Sequence, residues 1–245
     1  MSDKNIERDR YARRALKAFD DVYSLNHHEK SYLLDPIEDY YNLIRSIPKP
    51  LRFLEIGAGL GEHSEQILKA GHSLHATDIS LQSIKIMRRR FKNYENFSSE
   101  VSDMECLDYH DESFDVVASA GALSYGDNDK VLTEIHRVLK RGGSFIAVDS
   151  LNNNPIYAMN RYFHFLRGKR SKSTLLRMPN IKLLKKYEEH FGKARIRYFG
   201  SIIWILPFLN VFINTNKLRD FSNLVDRKLN IKKSAFKFTI KAIKV

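Results

Sequence analysis

The chain has 245 residues, 43% of them apolar and 29% charged, and carries a formal net charge of +12 at pH 7. That balance suits a globular chain with one full core and excludes disordered and fibrous classes. The single cysteine, Cys106, excludes an intramolecular disulfide framework and fits a reducing compartment, and no stretch reaches the ~20 apolar residues of a membrane span.

Residues 1–10 are charged and lack an apolar core, so they do not read as a secretory signal. Residues 5–45 carry apolar side chains at roughly helical spacing, broken at Asn26-His27-His28. Residues 1–48 are therefore expected to form a helical cap, and Pro48 and Pro50 set off the first strand.

The stretch Leu51-Arg-Phe-Leu-Glu-Ile-Gly-Ala-Gly-Leu-Gly61 predicts a buried strand that runs into three glycines, with a helix over 62–70 and a stop at Gly71. Without a Cβ, such a loop lets the backbone approach a ligand closely. A dinucleotide fold spaces its glycines as G-x-G-x-x-G. Here the third comes one residue early, and Glu55 stands two residues before the first. A carboxylate there repels a pyrophosphate but attracts the ammonium of an amino acid, directly or through water.

Ser73–Asp78 predicts a second strand ending in an acid, 21 residues after Gly57, where doubly wound folds bind ribose hydroxyls. A helix begins at Ser80, and a third strand over 97–103 ends at Asp103-Met104. Ser113–Ser119 reads as a fourth strand followed by Ala120, 127–139 as a helix, Lys140–Gly143 as a turn and Ser144–Asp149 as a fifth strand. This alternation requires right-handed crossovers and a parallel sheet.

Taken in order, these motifs resemble those of the class I S-adenosylmethionine (SAM)-dependent methyltransferases over about residues 50–150. The resemblance implies a Rossmann-like α/β sheet of seven strands, six parallel and the last antiparallel. It also implies that Gly57, Ala58, Gly59 and Gly61 form the loop under the methionine part of SAM, with Glu55 towards its ammonium. Asp78 would bind the ribose, Ile79 flank the adenine, Asp103 accept from its amine, Met104 donate from its backbone, and Ala120 approach the methionine moiety.

Residues 151–245 hold 21 Lys/Arg against 4 Asp/Glu, whereas the first 150 carry a net charge of −5. An anionic acceptor is expected for the basic half. The alternating stretches 193–199 and 235–245 predict the last two strands, with insertions at 151–178 and 200–233 as the acceptor site. The division expected is a cap (1–48), a SAM-binding core (49–150) and a basic half (151–245) within a single domain. Arg161 and His164 fall three apart on a basic aromatic helix, and Ile202–Ile213 is apolar but interrupted by Pro207.

Residues 154–179 resemble, less specifically, methyltransferases of bacterial surface-polysaccharide gene clusters. That implies O-methylation of a sugar hydroxyl, on a nucleotide- or lipid-linked glycan precursor; the protein is expected to be cytoplasmic, with possible peripheral contact at the inner face of the membrane. RNA methylation, methylation of another small molecule or a lipid, and a non-catalytic SAM-binding subunit are the alternatives, and no RNA-binding module supports the first. Candidates for a base or pocket group are His164, Asp149, Tyr125 and His28, with no metal cluster in the sequence.

Overall fold

The computed structural model describes residues 9, 35–48, 50–167, 171–210, 212–229 and 231–245. Its strands are β1 (Arg52–Ile56), β2 (Ser73–Asp78), β3 (Phe97–Val101), β4 (Phe114–Ala120), β5 (Leu139–Ser150), β6 (Gly192–Phe199) and β7 (Lys237–Lys244). They form one sheet in the order β3-β2-β1-β4-β5-β7-β6. The first five are mutually parallel, whereas β7 runs antiparallel to both β5 and β6. Six strands thus run one way and the last opposes them, as the resemblance implies.

Side chains alternate across the strands, so each sheet face meets its own helices. Phe53 of β1 and Val116 of β4 face a core shared with α1 (Asp35–Arg45), α2 (Ser64–Lys69) and α3 (Leu81–Arg90). Leu54 and Val117, their chain neighbours, face α4 (Asn128–Val138) and α7 (Ile181–Phe191). Caps fix where these helices begin. Ser80 Oγ accepts the Ser83 amide ahead of α3, and Asp127 accepts the amides of Asp129 and Lys130 ahead of α4.

Of the expected N-terminal cap, Asp9 and residues 35–48, which include α1, lie within the described residues; His28 lies outside them. Asp39 of α1 accepts from Thr239 Oγ1 at 2.5 Å and pairs with Arg197, holding the helix against β6 and β7.

Two boundaries differ from expectation. The third strand ends at Val101, two residues before Asp103, which instead bridges to Cys106 in a tight turn. Lys140–Gly143 lies within β5 rather than ahead of it. The pairing register shifts between Phe114 and Val116, and Gly142 takes a left-handed φ of 74°, so the expected turn becomes an irregularity of one long strand.

The second half carries insertions after β5 and β6. The first holds α5 (Pro155–Leu166) and α6 (Lys172–Leu176), and the second holds α8 (Leu206–Leu209) and α9 (Thr215–Leu229). Both leave the carboxyl edge of the sheet, because β5 and β6 run in the same direction.

Candidate active site

The strand order reverses between β1 and β4, and a crevice opens beyond their carboxyl ends. It is a cavity of ≈ 290 Å³, near the low end of small-molecule sites. The loop after β1 forms its floor with Gly57, Ala58 and Gly59. Gly57 and Gly59 both have left-handed φ angles, of 63° and 59°. A Cβ on Gly57 would meet Ala122 Cβ at 2.4 Å, whereas one on Gly59 would have nothing within 4 Å. Gly57 therefore serves the packing of two loops, and Gly59 keeps its space open.

Asp78 ends β2 at the wall of the cavity. Its Oδ2 accepts the Gly59 amide at 2.9 Å and its Oδ1 the Ser80 amide at 2.9 Å. Burial raises its pKa above the usual carboxylate value, while those two amides pull the other way. A carboxylate has about four acceptor positions, so lone pairs remain for hydroxyl donors. Ile79, Asp103 and Met104 continue the wall, and Asp103 Oδ1 accepts the Glu105 amide at 3.0 Å. Ala120 closes the side beyond β4.

Two expected cofactor residues lie behind this lining. Glu55 is buried under the loop, where its Oε2 accepts from Ser64 Oγ at 2.5 Å. Burial pushes its pKa up to about 7 against the Ser64 bond, with a smaller push from Asp78. Through Ser64 it ties β1 to the first residue of α2, across the glycine loop that joins them. Gly61 is likewise absent from the lining, and a Cβ there would meet Phe91 at 2.6 Å. Its role is the close approach of loop and α3.

The candidate bases separate. Tyr125, in a 3-10 turn over Leu123–Tyr125, lines the cavity. Asp149 is buried below that turn and accepts the amides of Leu123 at 3.0 Å and Ser150 at 2.6 Å. Burial raises its pKa as well. It anchors the turn that presents Tyr125 and does not face the cavity. His164 sits in the last turn of α5 and is not part of the lining.

Arg161, which falls three residues from His164 on the basic aromatic helix, is buried rather than open to an anionic acceptor. Its Nη1 donates to Leu151 O at 2.8 Å and to Asn152 Oδ1 at 2.9 Å, and its guanidinium lies over the Phe236 ring. It secures α5 to the end of β5.

His63 was missed by sequence reasoning and lines the cavity. Tyr41 Oη lies 2.8 Å from its Nδ1, which brings α1 into the site. Burial, helped by Glu55, pushes the Tyr41 pKa up to about 12. The only sequence signal was its place two residues after the third glycine. Among the described residues no group of three His, Cys, Asp or Glu could hold a metal.

A methyltransferase domain family matches residues 54–147. The sterol 4-C-methyltransferase strm-1 of Caenorhabditis elegans is 33% identical over 105 residues, covering 41% of this chain and 31% of that protein. The demethylmenaquinone methyltransferase of Renibacterium salmoninarum is 33% identical over 99 residues, covering 40% of each. The chain therefore spans about a third to two fifths of the length of these curated relatives. Among solved structures, a Haemonchus contortus phosphoethanolamine N-methyltransferase in complex with S-adenosylhomocysteine aligns with a TM-score of 0.60 at 16% identity. That alignment covers 86% of this chain and 52% of that one.

Proposed function

We propose that this chain, whose residues 54–147 match a methyltransferase domain family, is a class I SAM-dependent enzyme that transfers a methyl group to a small amphiphilic acceptor. One observation supports the reading above the others. A glycine loop with open space at Gly59, an acid at the end of β2 and an acid in the turn after β3 line one cavity.

The residues suit the cofactor. Gly57, Ala58 and Gly59 would hold its amino-acid part, Asp78 its ribose, and Ile79, Asp103 and Met104 its base. When bound, SAM supplies an electrophilic methyl group on a sulfonium. The chain's task is then to orient an acceptor in line with that group and keep water out. His63 and Tyr125 are the lining side chains suited to hold or take an acceptor proton, imidazole being the group that exchanges protons near neutral pH.

The acceptor class rests on the second half. Its insertions leave the carboxyl edge, where the cavity lies, and carry exposed large apolar side chains. The curated relatives named for a sterol and a menaquinone precursor support an acceptor with an apolar body. A lipid-linked sugar, as the weaker resemblance implies, is the second reading, favoured by the +17 net charge of residues 151–245.

Calorimetry with SAM and with NAD tests the cofactor. Transfer of labelled methyl to sterols, quinone precursors, lipid-linked sugars and sugar nucleotides tests the acceptor. Label partitioning into organic solvent supports the amphiphilic reading, and label confined to sugar nucleotides overturns it.

A further inference from the structure

A surface helix ordinarily turns its apolar stripe inward. Helix α5 does the reverse. Its buried residues are Tyr157 and Arg161, while Ile156, Met159, Phe163 and Leu166 repeat at helical spacing on the opposite, exposed side. Met159 is 57% exposed and Leu166 60%. Helix α9 buries Leu218, Ser222 and Asp226. Beside that face runs an exposed stripe, Lys217-Phe221-Leu224-Lys228, at spacings of four, three and four.

Both helices are anchored on one residue. Tyr157 Oη of α5 donates to Gly200 O at 3.0 Å, and Asp226 of α9 accepts the Gly200 amide at 2.6 Å. The segment between carries Phe208 and Phe212, the latter 86% exposed. The apolar segment Ile202–Ile213 thus hides Leu206 but presents its two phenylalanines outward. Outward apolar area on this scale marks an interaction surface.

We propose that this face docks on an anionic lipid bilayer. Three features select the bilayer over a second copy of the chain. The half that carries the face has a net charge of +17, which repels its own copy and attracts anionic headgroups. Aromatic and aliphatic rows flanked by lysines whose stems can lie along apolar surface match the headgroup–acyl boundary. No helix of the described residues is long and apolar enough to cross a membrane, so contact lies in the plane of the surface.

The test is flotation of the whole chain with vesicles of phosphatidylethanolamine and phosphatidylglycerol, against vesicles of phosphatidylcholine alone. Binding to the anionic vesicles is expected, weakening as salt rises. Phe163→Ser with Leu166→Ser, and separately Phe221→Ser with Leu224→Ser, should each lower partition by about tenfold or more, as loss of large buried side chains implies. These positions are exposed, so melting temperature and SAM affinity should hold. If one pair fails to fold, the other decides.

No binding to the anionic vesicles, or binding that both double variants leave unchanged, overturns the proposal. So does sedimentation of a dimer that the same substitutions dissociate, which would assign the face to a second copy. SAM calorimetry on the same samples keeps failure of this inference separate from failure of the enzymatic one.

Discussion

The Gly59 amide donates to Asp78 Oδ2 at 2.9 Å, so the glycine loop and the acid closing the next strand are held by one bond. The residue that would bind ribose thereby also sets the height of the loop that would pass under methionine. A substitution at Asp78 is therefore expected to disturb both the glycine loop and the end of β2 at once.

Asp78→Ala should weaken SAM binding by about 1–3 kcal/mol, the scale of lost charge-assisted hydrogen bonds. Titration calorimetry measures it. An unchanged affinity in a folded variant would remove Asp78 from the site.

Two glycines of the one loop should fail differently. Gly59→Ala places a methyl in open space at a left-handed φ, so it should reduce SAM affinity with a strain of about 1–2 kcal/mol. Gly61→Ala meets the Phe91 ring at 2.6 Å and should lower the melting temperature more. Thermal melts with and without SAM separate the two.

Glu55 makes stability depend on pH. Its folded pKa, about 7, lies above the ordinary value of 4.5. The protonated form is therefore favoured by the fold. Its contribution is fully present below pH ~4.5 and is lost as pH rises from there through about 7. Glu55→Gln keeps an acceptor for Ser64 but removes the titration. Relative to wild type it should gain up to about 3 kcal/mol between pH 5 and pH 8. Denaturant unfolding at several pH values reads this, and parallel curves for the two proteins would refute it.

Arg161→Ala should destabilise by about 2–3 kcal/mol, because two carbonyl-type acceptors lose a charged donor and Phe236 loses its cation. Michaelis constants of the remaining folded enzyme should change little. The reverse outcome, a raised acceptor constant at normal stability, would restore Arg161 to the acceptor site.

The sheet was legible because its signals are local. Strands β1, β2, β4 and the two alternating stretches near the end each carry their own periodicity and stops. The place of Gly59, Asp78, Asp103 and Ala120 in one cavity lining was legible for the same reason, since each ends a strand or follows one within three residues. His63 was not, since only the fold of α1 brings Tyr41 to it. Arg161 and Asp149 were misplaced because a charged residue near a strand end reads alike whether it faces a ligand or caps backbone. Residue spacing also assigned α5 its two faces without saying which one turns inward.

The position of β7 between β5 and β6 sets an order of assembly. On the ribosome β6 emerges well before β7, yet among the described residues its only sheet neighbour is β7, so residues 192–199 wait for 237–244 before they pair. The first five strands need no such wait, for their partners precede them or come soon after. A chain interrupted before residue 237 consequently loses two strands rather than one, and with them the Thr239 and Arg197 contacts that hold α1 over the loop.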